Sequence, residues 1–213
     1  MLRGGVLDAL IFDLDGTLWD TTATCALAWN RVLGRLGLAR RVTAADVRAV
    51  TGKSHFEAIQ AAFPELSGEL LQRLSDETAV EDNVAIAERD SAAPPHVFPG
   101  VLELVPALRA RRPLCIVSNC QQGYIENFLA LSGLGGHFVD FECWGNTGRD
   151  KATNLRSVMA RNGLGSPLFV GDTEGDRAAA RANGVRFAHA TWGYGAVEEA
   201  DHVLARFDEL LAL

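Results

Sequence analysis

The sequence specifies an α/β fold, a parallel sheet flanked by helices, with an all-helical segment inserted after the first strand. Three observations predict it. Short unbroken apolar runs at 9–12, 114–117 and 168–170 read as strands covered on both faces. Helical patterns lie between the later runs, and alternation of strands and helices means parallel strands. From about 18 to 93, by contrast, no convincing strand occurs.

Taken in order, Ala9-Leu10-Ile11-Phe12 is the first strand. Asp20 can then cap a helix that carries Leu27, Val32, Leu33 and Leu36 and ends at Gly37. Further helical stretches follow at about 43–50, 54–63 and 66–90, and Ala92 to Gly100, rich in proline, reads as a stiff connector. A helix at about 101–112 contains Pro106, which predicts a kink or a late start. The second strand is Leu114-Cys115-Ile116-Val117, a helix follows at about 122–132, and Phe138-Val139-Asp140-Phe141 is the next strand. The helix at 151–162 sets Leu155, Val158 and Met159 on one stripe and stops at Asn162-Gly163. Leu168-Phe169-Val170, a helix at about 174–183 and a weaker strand, Val185-Arg186-Phe187-Ala188, complete the pattern. Residues 1–17 and 94–213 thus make one core, and 18–93 an inserted helical domain.

Composition narrows the function classes. The 213 residues are 48% apolar and 22% charged, the balance of a folded chain rather than a disordered one. Twenty basic against 27 acidic residues give a net charge of -7, which argues against nucleic acid or an anionic membrane as the main partner. No apolar run reaches the length of a membrane-spanning helix, and Asp8 and Asp13 interrupt any signal-peptide core after Met-Leu-Arg-Gly-Gly. Cys25, Cys115, Cys120 and Cys143 show no CxxC spacing, so they read as reduced core cysteines of a cytoplasmic protein. The five histidines are isolated, which disfavours a histidine-built zinc site.

Chemistry concentrates at the strand ends. In Phe12-Asp13-Leu14-Asp15-Gly16-Thr17-Leu18 two carboxylates leave a buried strand at its C-terminal end, an expensive placement unless a cation or substrate compensates them. Open α/β sheets bind ligands there. Val170-Gly171-Asp172-Thr173-Glu174-Gly175-Asp176 repeats the design, with Asp176 placed to open a helix while Asp172 points back over the sheet. Four carboxylates from two strand ends form a hard-oxygen cage suited to Mg²⁺. Ser118, followed by Asn119, ends the second strand with a hydroxyl able to hold a phosphate oxygen, though alone it also reads as a turn residue. Lys151 sits at a helix start, where a cation opposes the helix dipole, so it is a candidate for work elsewhere or else a solvated lysine.

These motifs together resemble the haloacid dehalogenase superfamily, in the phosphatase branch similar to phosphoglycolate phosphatase. DxDGTL at 13–18, the serine at 118, the lysine at 151 and GDTxxD at 171–176 stand in the family's order, and Trp192-Gly193-Tyr194-Gly195 is family-like too. The resemblance implies a Rossmann-like core and a helical cap. It implies Asp13 as nucleophile and Asp15 as general acid and then base. Asp13, the Asp15 backbone carbonyl, Asp172 and, directly or through water, Asp176 would bind Mg²⁺. Ser118, Asn119, Lys151, Thr17 and backbone N–H groups would hold the transferring phosphoryl group of a small phosphorylated metabolite. A monomer or homodimer is expected.

Departures from the family pattern are also informative. Gly148-Arg149-Asp150-Lys151-Ala152-Thr153 lacks the Lys-Pro-x-Pro often seen in phosphoglycolate phosphatases. Val50-Thr51-Gly52-Lys53-Ser54-His55 occupies the place of the cap's specificity loop, so Lys53 or His55 is a candidate contact to the leaving group; the same letters suit a turn with solvated polar residues. Cys120 either lines the site or fills space. Asp15 argues against a dehalogenase and, despite Lys53, against a phosphonoacetaldehyde hydrolase. A phosphomutase similar to β-phosphoglucomutase keeps Asp15 but usually has an acid where Gly171 stands. A non-catalytic binding protein on this fold would have lost one of Asp13, Asp15, Lys151 or Asp172.

Overall fold

The computed structural model describes residues 6–88 and 96–213. Six strands form one sheet in the order β3-β2-β1-β4-β5-β6, with every pairing parallel. They are β1 (Leu10–Phe12), β2 (Leu114–Ser118), β3 (Asp140–Cys143), β4 (Leu168–Gly171), β5 (Arg186–Ala190) and β6 (His202–Leu204). Alternate side chains of a strand face opposite ways, and the two faces of this sheet build two cores. Ile11, Cys115, Val117, Phe169 and Phe187 pack with Leu155, Val158, Ala179 and Ala180 of α8 (Lys151–Asn162) and α9 (Glu174–Ala182). Leu10, Phe12, Leu114, Ile116, Leu168 and Val170 face the other way. They meet the apolar stripes of α5 (Val101–Arg109) and α6 (Tyr124–Ser132). Each large apolar side chain buried in this way contributes about 1.5–3 kcal/mol.

Between β1 and α5 lie α1 (Thr22–Arg35), α2 (Ala44–Arg48), α3 (His55–Ala62) and α4 (Gly68–Ala87). The long helices α1 and α4 pack together, and Trp29, Leu33, Leu74 and Ile86, with Ile59 of α3, make the interior of the insert. Both ends of the insert leave the core side by side. Trp19 bridges Val97, Phe98 N–H donates to the Leu18 carbonyl at 3.0 Å, and Asp20 N–H to the His96 carbonyl at 2.7 Å. The expected boundary at 93 and residues 92–95 of the expected connector lie outside the described residues.

Several local expectations shift. Thr21, not Asp20, occupies the cap position of α1; Asp20 Oδ1 accepts instead from the Thr22 backbone N–H and hydroxyl at 3.0 and 2.6 Å. Leu27 is exposed, because the buried face runs through Cys25, Ala28, Trp29, Val32 and Leu33. Helix α5 starts at Val101 without delay and runs through Pro106. β3 begins two residues later than expected, because Phe138 packs edge-on against Phe12 and Phe128 while Asp140 pairs with Cys115. β6 and the one-turn α7 (Trp144–Thr147) were not expected at all. No helix among the described residues is long and apolar enough to cross a membrane.

Candidate active site

The strand order reverses between β1 and β4, and their C-terminal ends place Asp13 beside Asp172. The Asp13 backbone N–H donates to the Val170 carbonyl at 2.8 Å, so the two loops start in register. Gly16 has φ of +82°, and a Cβ there would stand 2.3 Å from Asp172 Oδ2. The turn after Asp15 therefore requires glycine both for its backbone and for its close approach to the second acidic loop.

Asp176 occupies the first turn of α9, where it forms a reciprocal cap with Thr173; its Oδ2 accepts from the Thr173 N–H and hydroxyl at 2.9 and 2.6 Å. Asp172 Oδ2 accepts from the Tyr194 N–H at 2.7 Å, and the Thr17 hydroxyl donates to Oδ1 at 3.5 Å. Asp150 caps α8 by accepting from Thr153 N–H at 2.7 Å, which fixes the direction of Lys151. Its ammonium is buried and donates to Asp13 Oδ1 at 2.7 Å and to Asp176 Oδ1 at 2.6 Å.

Charge in this cluster does not balance. Oxygens of Asp13, Asp172 and Asp176 lie within 4.8 Å of one another, all three residues are buried, and Lys151 is the one ammonium bonded to them among the described residues. Burial, and then the neighbouring Asp176 charge, push Asp13 well above the ordinary carboxylate range, and for the same reasons Asp172 rises to about 6. Burial disfavours the charge on Lys151, but Asp13 and Asp176 outweigh it and hold the ammonium above the usual lysine range. The cluster lacks positive charge, and three hard oxygen donors are the set a divalent cation such as Mg²⁺ takes.

Asp15 stands apart from this cluster. Its Oδ1 accepts from the Tyr124 hydroxyl at 2.9 Å, and that hydroxyl also bonds Thr21 Oγ1 at the start of the insert. Burial pushes Asp15 up to about 7 even against the Tyr124 hydrogen bond. Such a carboxyl carries its proton near neutrality, as a general acid must.

Core and insert close over a cavity of about 60 Å³, lined by Asp13, Asp15, Ser118, Asn119 and Lys151 from the core. Thr22, Trp29, Lys53, His55 and Asp82 line it from the insert. Ser118 Oγ accepts from the Cys120 N–H at 3.4 Å, and Asn119 Nδ2 donates to the Gly52 carbonyl at 2.8 Å, tying the 51–55 turn to the core. Cys120 also lines the cavity. Thr17 is fully buried, with its hydroxyl directed at Asp172 rather than at the cavity wall. Lys53 is exposed at the rim. His55 is buried in the insert, bonded through Nε2 to the Ser75 carbonyl and Thr78 Oγ1, and burial pushes its pKa down to about 4.

Sequence reasoning missed Tyr124, Asp82 and the part played by residues 192–195. The Trp-Gly-Tyr-Gly stretch closes around Asp172: Tyr194 N–H holds its carboxylate, Trp192 Nε1 holds the Thr17 carbonyl at 3.1 Å, and a Cβ at Gly193 would overlap the Asp172 Cβ at 2.3 Å. The paired glycines in that stretch were the available signal.

Comparison with known proteins agrees with this architecture. A family model described as haloacid dehalogenase-like hydrolase matches residues 10–190. A phosphoglycolate phosphatase of Pseudomonas putida is 30% identical over 98% of this chain and 79% of its own. One from Aquifex aeolicus is 27% identical over 96% and 95%. Among solved structures, a haloacid dehalogenase-like family hydrolase from Streptococcus pneumoniae superposes with a TM-score of 0.83 at 21% identity, covering 97% of each chain. A protein described as a predicted phosphoglycolate phosphatase from Haemophilus somnus gives 0.81 at 20% identity, again over 97% of each. With the acidic loops of β1 and β4 meeting Lys151 on that shared fold, the chain belongs to the haloacid dehalogenase-like hydrolases and is a phosphatase-type hydrolase among them.

Proposed function

We propose that the protein hydrolyses a small-molecule phosphate monoester in a Mg²⁺-dependent reaction that passes through an aspartyl-phosphate on Asp13. The observation that carries this reading is the division of labour between carboxylates. Asp13 lies against the Lys151 ammonium in a cluster short of positive charge, while Asp15, two residues on, holds a proton near neutrality.

Asp13, Asp172 and Asp176, with the backbone carbonyl of Asp15, would hold the ion. Bound there, Mg²⁺ supplies the charge that offsets repulsion between carboxylates and a phosphate dianion. An Asp13 oxygen attacks phosphorus, the bond from phosphorus to the leaving oxygen breaks, and the Asp15 carboxyl gives that oxygen its proton. The Asp15 carboxylate then takes a proton from water as the water oxygen attacks phosphorus, which frees Asp13 and releases inorganic phosphate. Ser118 and Lys151, both on the cavity wall, are placed to hold the transferring oxygens. Hydrolysis rather than phosphoryl transfer between sugars is supported at Gly171, where a Cβ would stand 2.6 Å from the Asp176 Cβ and leaves no space for an acidic side chain.

Metal dependence is tested by phosphate release from a panel of monoesters, phosphoglycolate among them because the relatives are named for it. Activity should vanish in excess chelator, return with Mg²⁺ and return poorly with Ca²⁺, which prefers six to eight oxygen ligands in looser geometry. Full activity in chelator contradicts the reading.

A pH profile tests the role of Asp15. Its proton is present below about 7 and lost above, so kcat/KM on alkyl phosphates should fall as pH rises through that value. The Tyr124 hydrogen bond favours the charged form and lowers the Asp15 pKa, so Tyr124→Phe should move the falling limb to higher pH by about one unit. An unmoved limb assigns that limb to another group.

A further inference from the structure

We propose that the wall around Asp82 is the leaving-group subsite and takes a small uncharged polyol, so that the preferred substrate is a polyol phosphate rather than a phosphorylated acid; this rests on the phosphatase reading above. Asp82 belongs to α4, is 3% exposed, and lines the same cavity as Asp13 and Asp15. Its Oδ2 accepts from Trp29 Nε1 at 3.3 Å and from Gln121 Nε2 at 3.4 Å, so insert and core both hold it in place. Oδ1 is buried and has no hydrogen-bond partner. The Cys25 thiol bonds Thr21 Oγ1 at 3.6 Å and also donates weakly to the Asp82 carboxyl. A buried carboxyl oxygen left unpaired is costly, and Asp82 lines the space a leaving group must fill.

His55 supplies the second half of the wall. A carbonyl can only accept, so the Nε2 bond to Ser75 at 3.1 Å puts the proton on Nε2. Nδ1 is then a bare acceptor on the side of Asp82, 3.9 Å from its Oδ2. Burial supports the same picture, pushing Asp82 up to about 8 and His55 down to about 4, so both groups are uncharged at neutral pH. A neutral carboxyl both donates and accepts, a neutral imidazole nitrogen accepts, and hydroxyl groups satisfy both.

An acidic leaving group finds no such match. The cations on the cavity wall are Lys151, already bonded to Asp13 and Asp176, and Lys53, exposed at the rim. A carboxylate seated by Asp82 and Asp15 would be buried without a countercharge.

The test compares kcat/KM, with Mg²⁺, for glycerol 3-phosphate, propyl phosphate, 2-phosphoglycolate, ethanolamine phosphate and p-nitrophenyl phosphate. Wild type should favour glycerol 3-phosphate over propyl phosphate and over 2-phosphoglycolate by at least about tenfold, since a site built to bond hydroxyls rejects analogues that leave it unpaired. Asp82→Leu should bring the glycerol-to-propyl ratio close to one. Asp82→Asn should keep part of it, because an amide also donates and accepts. Thermal melts establish that the variants are folded; if Asp82→Leu is not, the wild-type ratios and Asp82→Asn decide. The proposal is overturned if the ratio is unmoved in folded Asp82→Leu, if ethanolamine phosphate is preferred, or if 2-phosphoglycolate is preferred; loss of that last preference in Lys53→Ala would assign it to the rim lysine. Turnover of p-nitrophenyl phosphate separates the two levels, because its phenolate departs without help from the wall. If wild type hydrolyses it but shows no preference for glycerol over propyl, the subsite fails and the phosphatase reading stands. If it hydrolyses none of the five, the phosphatase reading fails and the subsite with it.

Discussion

Asp13→Asn should abolish phosphate release, by at least about a thousandfold, while leaving a folded protein. The carboxylate is the attacking atom in the proposed reaction, and an amide of the same shape is a poor nucleophile. Loss of a nucleophile is not made good by binding, since the remaining groups only orient and stabilise. The fold has little reason to respond. Asn is nearly isosteric, the Asp13 N–H bond to Val170 belongs to the backbone, and Lys151 keeps its partner Asp176. Phosphate release measured beside a thermal melt checks both halves. A variant that keeps a tenth or more of wild-type activity contradicts a covalent role for Asp13.

Lys151→Ala should damage both stability and catalysis. Its ammonium is buried between Asp13 and Asp176, and its removal takes the ion-pair partner from both and strands Asp13, which burial already pushes toward its protonated form. Breaking a buried pair by removing one partner costs about 3–5 kcal/mol. The metal-free variant should therefore melt well below wild type. The sign with pH follows from Asp13 and Asp172, whose folded pKa values lie above the ordinary ones. In the variant, protonation of these groups relieves the repulsion, so its deficit should shrink as pH falls toward 5 and widen as pH rises. Activity should drop on every phosphoester alike, because Lys151 would touch the transferring group and not the leaving group. Melting curves across pH and a comparison of two unlike substrates check this. A change in substrate ratios with unaltered stability contradicts it.

The parts of the site legible in the sequence share one property: they break a local rule. Asp13 and Asp15 end a buried apolar strand, Asp172 and Asp176 end another, and Lys151 is a cation at a helix start. Such residues stand out because the neighbouring chain gives no reason for them. Tyr124 and Asp82 break nothing. A tyrosine in an amphipathic helix reads as core, and an aspartate beside Glu81 in a long charged helix reads as solvated. Only the packing of α1, α4 and the 119–122 loop turns Asp82 inward against Trp29 and Gln121. Thr17 shows the reverse case, since its place in the motif suggested the phosphate while the folded turn directs its hydroxyl at Asp172.

The fold divides in the same way. Strands β1, β2 and β4 were legible as unbroken apolar runs because they are central and covered on both faces. β3 carries Asp140 and Glu142, which an exposed arginine of α8, Arg161, pairs at 2.9 and 2.7 Å, so its apolar signal stops early. β6 is three residues long and only one of them is buried. Edge strands need less apolar surface, and composition marks them weakly.

The central claim is the covalent intermediate on Asp13, and one trapping measurement tests it most directly. Asp15→Asn lacks the base for the second step, yet p-nitrophenyl phosphate needs no acid for the first, so this variant with Mg²⁺ should accumulate the aspartyl-phosphate. Borohydride reduction of the quenched protein converts an acyl phosphate to an alcohol, and peptide mass spectrometry locates it. The expected result is homoserine at position 13, formed only with substrate and accompanied by a p-nitrophenolate burst of about one equivalent. Steady turnover with an unmodified Asp13, or reduction at any other carboxylate, would contradict it.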